Sequence, residues 1–110
     1  MREIRDMEAF AKSQSVIEDI YAERRRQIDS EGWTPEHDDD HNAGELARAA
    51  ACYAVGGRIA ESVGVGIARW IWPWTNDWWK PDTRRRELVK AGALIVAEIE
   101  RLDRAAEKKD

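Results

Sequence analysis

Apolar side chains recur at steps of three and four along two long stretches of this chain, a period that suits helices and not strands. From residue 2 to about 30, Ile4, Met7, Phe10 or Ala11, Gln14, Ile17, Ile20 or Tyr21, Arg24 and Ile28 form one stripe, apolar except at Gln14 and Arg24. From Thr83, a good N-cap, to about Lys108, the stripe is Leu88, Ala91 or Gly92, Ile95, Ile99, Leu102 and Ala106. Extended backwards it meets Arg84 and Arg85. A further helix is expected from about 43 to 62, with Leu46, Ala49 or Ala50, Tyr53, Gly57 and Ala60 on one face. Asn42 stands three residues before Glu45, the spacing of a capping box. The expected fold is all-α, a small bundle of three main helices in a single domain spanning residues 1–110. The last helix is long for a compact monomer, which points to a homo-oligomer.

Breakers separate these helices. Gly32 follows the first stripe, and Thr34-Pro35 suits the start of a short helical turn, with proline at its first position. Residues 63–82 lose the period: Gly64 and Gly66 are followed by Pro73, Asn76-Asp77 and Pro81. The chain has six tryptophans, and five of them, Trp70, Trp72, Trp74, Trp78 and Trp79, fall in this connector.

Composition excludes several classes. Arg58, Glu61 and Arg69 interrupt the most apolar stretch, so no membrane span is expected, and Met1–Asp6 lacks the apolar block of a secretory signal. A cytoplasmic location follows as the expectation. The single cysteine, Cys52, lies among alanines and reads as a small buried residue. A net charge of −4 argues against a duplex-DNA partner, yet leaves room for a local anion site.

Three constellations carry possible chemistry. Glu31, Glu36, His37, Asp38, Asp39, Asp40, His41 and Glu45 form an acidic, histidine-bearing segment. Were it helical, His37, His41 and Glu45 would stand one turn apart and suit a divalent metal, whereas a capping and ion-pairing turn needs no ligand. Between residues 69 and 86, Arg69, Lys80, Arg84, Arg85 and Arg86 face only Asp77 and Asp82, and five tryptophans are interleaved with them. Indole faces accept a stacked base and guanidinium forks accept phosphate, although tryptophans also plug the end of a bundle. In Glu23-Arg24-Arg25-Arg26-Gln27, Arg24 and Gln27 share the apolar face, and a charge there needs a carboxylate or a ligand.

Taken jointly, Glu23-Arg24, Arg26-Gln27, Glu31 through Asp39, His41, Gly44-Glu45-Leu46, Trp72-Pro73-Trp74, Trp78-Trp79-Lys80-Pro81 and Leu88 through Ile95 resemble a family of small bacteriophage and prophage proteins, over residues 20–104. The resemblance implies a phage origin and a cytoplasmic setting in an infected bacterium, and brings no activity with it. The expected function is an anti-defence binding protein that sequesters a nucleotide-derived immune signal, of cyclic nucleotide or ADP-ribose type, without cleaving it. Trp72, Trp74, Trp78 or Trp79 would stack on a base; Arg24, Arg84, Arg85 or Lys80 would neutralise phosphate; Glu36, His37, Asp38 and His41 would accept ribose hydroxyls or base amino groups; and Gln27 and Trp33 complete the expected ligand-binding set. No cofactor is expected for that role. The alternatives are a nucleotide pyrophosphohydrolase with a divalent metal on His37, His41 and Glu45, and a protein–protein inhibitor of a host factor.

Overall fold

The computed structural model describes residues 2–56 and 71–108, which are mostly helical and contain no strand. Helix α1 spans Arg2–Asp29. Gly32, at φ 74°, then turns the chain, and the Trp33 amide donates back to the Gln27 carbonyl at 2.9 Å. Helix α2 is one turn, Pro35–Asp38, with Pro35 at its start and the Thr34 hydroxyl accepting from the His37 amide at 3.2 Å. Helix α3 spans Glu45–Val55 and ends at Gly56, where φ is 86°. After a 3₁₀ turn at Asn76–Trp78, helix α4 runs over Arg84–Glu107, and the Thr83 hydroxyl caps it by accepting from the Arg86 amide at 3.3 Å. No helix among the described residues is long and apolar enough to cross a membrane.

One cap differs from expectation. Gly44 at φ 81°, not Asn42, precedes α3, and the Glu45 carboxylate accepts from the Ala43 amide at 2.6 Å. A left-handed glycine brings the chain into the helix, so Asn42 is left outside the capping position. The part of this helix expected beyond Gly56, including Gly57 and Ala60, and also Trp70, lies outside the described residues.

Helix α3 lies along α4, and the C-terminal part of α1 crosses α4. The core joins Leu46, Ala49, Ala50, Cys52 and Tyr53 of α3 to Ala91, Leu94 and Ala97 of α4, with Trp72 closing it. Alanines on both helices let the two backbones approach closely, which leaves little large aliphatic surface inside. Among the described residues, Leu46 and Leu94 are the large aliphatic side chains that are fully buried, each contributing about 1.5–3 kcal/mol.

The faces that pack are not the expected ones. In α4 the inward face carries Glu87, Lys90, Ala91, Ala93, Leu94 and Ala97, while Leu88, Ile95, Ile99 and Leu102 are exposed. The alanine stripe wins because α3 can come closer to it. In α1 only Glu23, Arg24 and Gln27 are buried, and every residue from 2 to 18 is exposed, including Ile4, Met7, Phe10 and Ile17. Helix α1 meets α4 where Ile20 sits over Gly92; a Cβ built on Gly92 would lie 3.0–3.3 Å from three Ile20 carbons. Gly92→Val should therefore destabilise the protein by about 1–3 kcal/mol through overpacking. Urea unfolding reads this loss, and Ile20→Ala in the same chain should recover part of it.

Candidate functional site

The end of α1 and the turn after it gather most of the charge in the interior. Arg24 is almost wholly buried: its Nη2 donates to Asp38 Oδ2 at 2.6 Å, its Nη1 to the Trp33 carbonyl at 3.1 Å and its Nε to Glu100 at 3.4 Å. This fork ties α1 to α2 and α4. Asp39 adds a second tie, accepting from Arg104 Nη2 at 2.9 Å. Burial pushes the Asp38 carboxyl up, and the charge and hydrogen bond of Arg24 offset this only in part.

On the other side of α1, Glu23 is buried and accepts from Arg26 at 2.8 Å, from Arg86, and from the Gln27 amide at 3.3 Å. Glu31 accepts from Arg26 and from Lys80 Nζ, both at 3.1 Å. For both glutamates burial acts upwards, but the hydrogen bonds and charges of Arg26 with Arg86, or of Lys80 with Arg26, leave the carboxyl below its ordinary range. Lys90 is buried; its Nζ donates to the Lys80 carbonyl at 2.9 Å and stands 5.6 Å from the Tyr53 ring centre.

Tryptophans cover these charges. Trp33 contacts Trp74 and Trp78, with ring centres 5.7 and 6.2 Å apart; Trp72 meets Trp74 and Trp79 edge-on; and Trp79 stacks on Tyr53 at 4.7 Å. Trp72 is buried and Trp33, Trp74 and Trp79 are half-buried, whereas Trp78 is 42% exposed, with the Lys80 ammonium 5.9 Å from its ring centre.

A shallow cleft opens among these groups. Glu23, Arg26, Gln27 and Glu31 of α1 and its following turn line one wall, and Trp33, Tyr53, Trp78, Lys80 and Lys90 line the rest. Its empty space is about 280 Å³, most of it open to solvent. Gln27 is fully buried, and its Nε2 donates to Glu23, which fixes the orientation of the amide; its Oε1 has no hydrogen-bond partner.

Of the candidate residues named from the sequence, Gln27, Trp33, Trp78 and Lys80 come together in this cleft. Trp72, Trp74 and Trp79 belong to the aromatic packing behind it. Arg24 and Asp38 hold each other away from the cleft. Arg84 donates to the Tyr53 and Ala54 carbonyls at the end of α3, and Arg85 pairs with Asp19 at 2.7 Å on the surface. Glu36 and His37 are exposed, and His41 Nδ1 lies 3.3 Å from Glu45, with its ring edge-on to Trp74. Among the described residues no three His, Cys, Asp or Glu side chains gather as a metal ion would require.

Tyr53 and Lys90 do not stand out as site residues in the sequence, where Glu23 and Arg26 read as part of a solvated run. The available signal was helical spacing: Glu23 lies three and four residues before Arg26 and Gln27, and Lys90 interrupts the alanine stripe of α4. No protein-family model, curated protein or solved structure matches the chain.

Two outcomes follow from the electrostatics. In the unfolded chain the glutamates return to a pKa of about 4.3, so Glu23 and Glu31 stabilise the fold above that pH and stop doing so as the pH falls through their lower folded values. Urea midpoints should thus drop as the pH is taken below about 4. Arg24→Met leaves Asp38 as an uncompensated buried charge and should cost about 3–5 kcal/mol at pH 7. Part of that loss should return as acid protonates Asp38, whose folded pKa is already raised; a loss independent of pH would contradict the pairing.

Proposed function

We propose that the protein is a binding protein that sequesters a nucleotide-type ligand intact in the cleft between α1 and Trp78. One observation carries this reading: an exposed indole, a cation beside it and a buried amide oxygen without a partner stand around the same opening. The ring of Trp78 offers a stacking face, and Gln27 Oε1 accepts from a ring N–H or an amino group. Arg26 and Lys80 supply charge for phosphate oxygens.

Lys80 is the releasable cation: its pair with Glu31 is partly exposed and worth only about 0–1 kcal/mol, so a phosphate can replace the carboxylate at small cost. Arg26 keeps two hydrogen bonds to the buried Glu23, at 2.8 and 3.0 Å, and has only the Nη1 that meets Glu31 to offer. The Arg24–Asp38 pair is buried and breaking it is expensive. That contrast favours Lys80, with Arg26 Nη1, as the phosphate contact, and leaves Arg24 to its pair with Asp38 away from the cleft. The cleft is shallow and mostly open to solvent, so a base would lie against the Trp78 ring at its mouth, with the phosphates at the rim.

Burial pushes the Tyr53 phenol up, so near neutral pH it presents a hydroxyl and not an anion to the cleft. The resemblance to small phage proteins supplies the proposed setting, in which the sequestered ligand is a nucleotide-derived immune signal of the bacterial host.

Native mass spectrometry of the purified protein, then denaturation and chromatography of what is released, tests this directly. An intact nucleotide is expected, with binding retained in chelator. Trp78→Ala should weaken binding about 5- to 150-fold by calorimetry, the equivalent of ~1–3 kcal/mol of base stacking. A protein that carries no nucleotide and binds neither cyclic dinucleotides nor ADP-ribose at millimolar concentration would overturn the proposal.

A further inference from the structure

Two apolar stripes are left uncovered among the described residues, and both follow a heptad. On α4, Leu88, Gly92, Ile95, Ile99, Leu102 and Ala106 are spaced alternately by four and three; apart from Gly92, which Ile20 covers, the large members lie open, Ile99 at 53%. On α1, Met7, Phe10, Gln14, Ile17 and Tyr21 alternate by three and four, with Met7 71%, Phe10 66% and Ile17 64% exposed. Such spacing is the seam of a helix that packs against another helix.

The free half of α1 needs a cover for a further reason. Residues 2–18 touch no other described element closely enough to be shielded, and an isolated helix of that length is marginal in water. At 1.5 Å per residue the α1 stripe is about 21 Å long from Met7 to Tyr21, and the α4 stripe from Leu88 to Leu102 is about 21 Å as well. The two surfaces match in period and length, yet within one chain neither covers the other.

We infer that a second copy of this chain completes the fold by reciprocal exchange: the free half of α1 from each protomer lies in the heptad stripe of its partner's α4. A two-fold pairing of this kind satisfies both stripes on both copies and leaves none over. The areas agree. The chain exposes 7790 Å² at 12.6 kDa, where a compact monomer of that mass exposes about 6200 Å². That total is for the whole chain, and a pairing that covered only half of the excess of about 1600 Å² on each of two copies would already bury about 1600 Å², the size of a stable specific interface. A radius of gyration of 16.1 Å, against about 13 Å for a compact chain of this length, reports the same extension. Gln14, the polar member of the α1 seam, sets its register.

Sedimentation velocity on the full chain tests the pairing. The wild type should sediment at twice 12.6 kDa. Phe10→Lys alone and Ile99→Glu alone should each give monomers that keep their tryptophan emission, because both positions lie outside the core, and that lose helical content only to the extent that the uncovered half of α1 frays. Mixed in equal amounts, the two variants should form a heterodimer: one of its two exchange contacts is then wild type, and the other sets lysine against glutamate. A wild type that stays monomeric to millimolar concentration overturns the inference and leaves the stripes to a different protein. A dimer untouched by either substitution overturns it too, as does a mixture that stays monomeric when the variants are folded.

Discussion

Arg24 sits almost out of water with its fork divided among one carboxylate, one carbonyl and a glutamate on another helix, and the arrangement around it depends on that division. Desolvating an ion costs several kcal/mol, more than the burial of a leucine returns. The pair with Asp38 therefore contributes geometry more than stability. It brings the one-turn helix α2 against α1 and α4, and in doing so sets Trp33 beneath Trp74 and Trp78. Without that clamp, a core built chiefly of alanines would have little to fix the turn from Gly32 to Asp39.

The aromatic residues are a consequence of the same economy of core. Where α3 and α4 approach on alanines, the seam is narrow and its end is open. Trp72, Trp74 and Trp79 close it by edge-on and stacked contacts, and Tyr53 hydrogen-bonds the Lys80 amide at 3.2 Å to hold the returning chain. This packing is rigid backing for the cleft. Trp78 stands at its front, with its ring partly open to solvent and the Lys80 ammonium over it at 5.9 Å from the ring centre, so one segment serves both as plug and as proposed stacking surface.

Part of this was visible in the residues alone. Thr34-Pro35 and Thr83 begin helices as their chemistry requires, Gly32 turns the chain after α1, and a charge on the apolar face of α1 did find a buried carboxylate, in Asp38. The cleft was only half visible. Gln27, Trp33, Trp78 and Lys80 stood out as residue types suited to a ligand, but Glu23 and Arg26 looked like members of a solvated charge run. Glu23 is buried against Arg86 of α4, 63 residues away in sequence, and brings Arg26 with it, which no local spacing reveals.

Helical period, capping and chain punctuation act within a turn or two of backbone, so the sequence by itself determined where α2 and α4 begin, where Gly32 must turn the chain and that the described residues are mostly helical without a strand. Facing is a different matter. Helix α4 carries two apolar stripes, one of alanines and one of isoleucines and leucines, and hydrophobicity alone favours the larger residues. Tertiary structure decided for the alanines because burial depends on how closely a partner helix can approach, and α3 brings alanines of its own. The same choice turned the larger stripe outwards, left half of α1 bare, and placed the site residues on the opposite side.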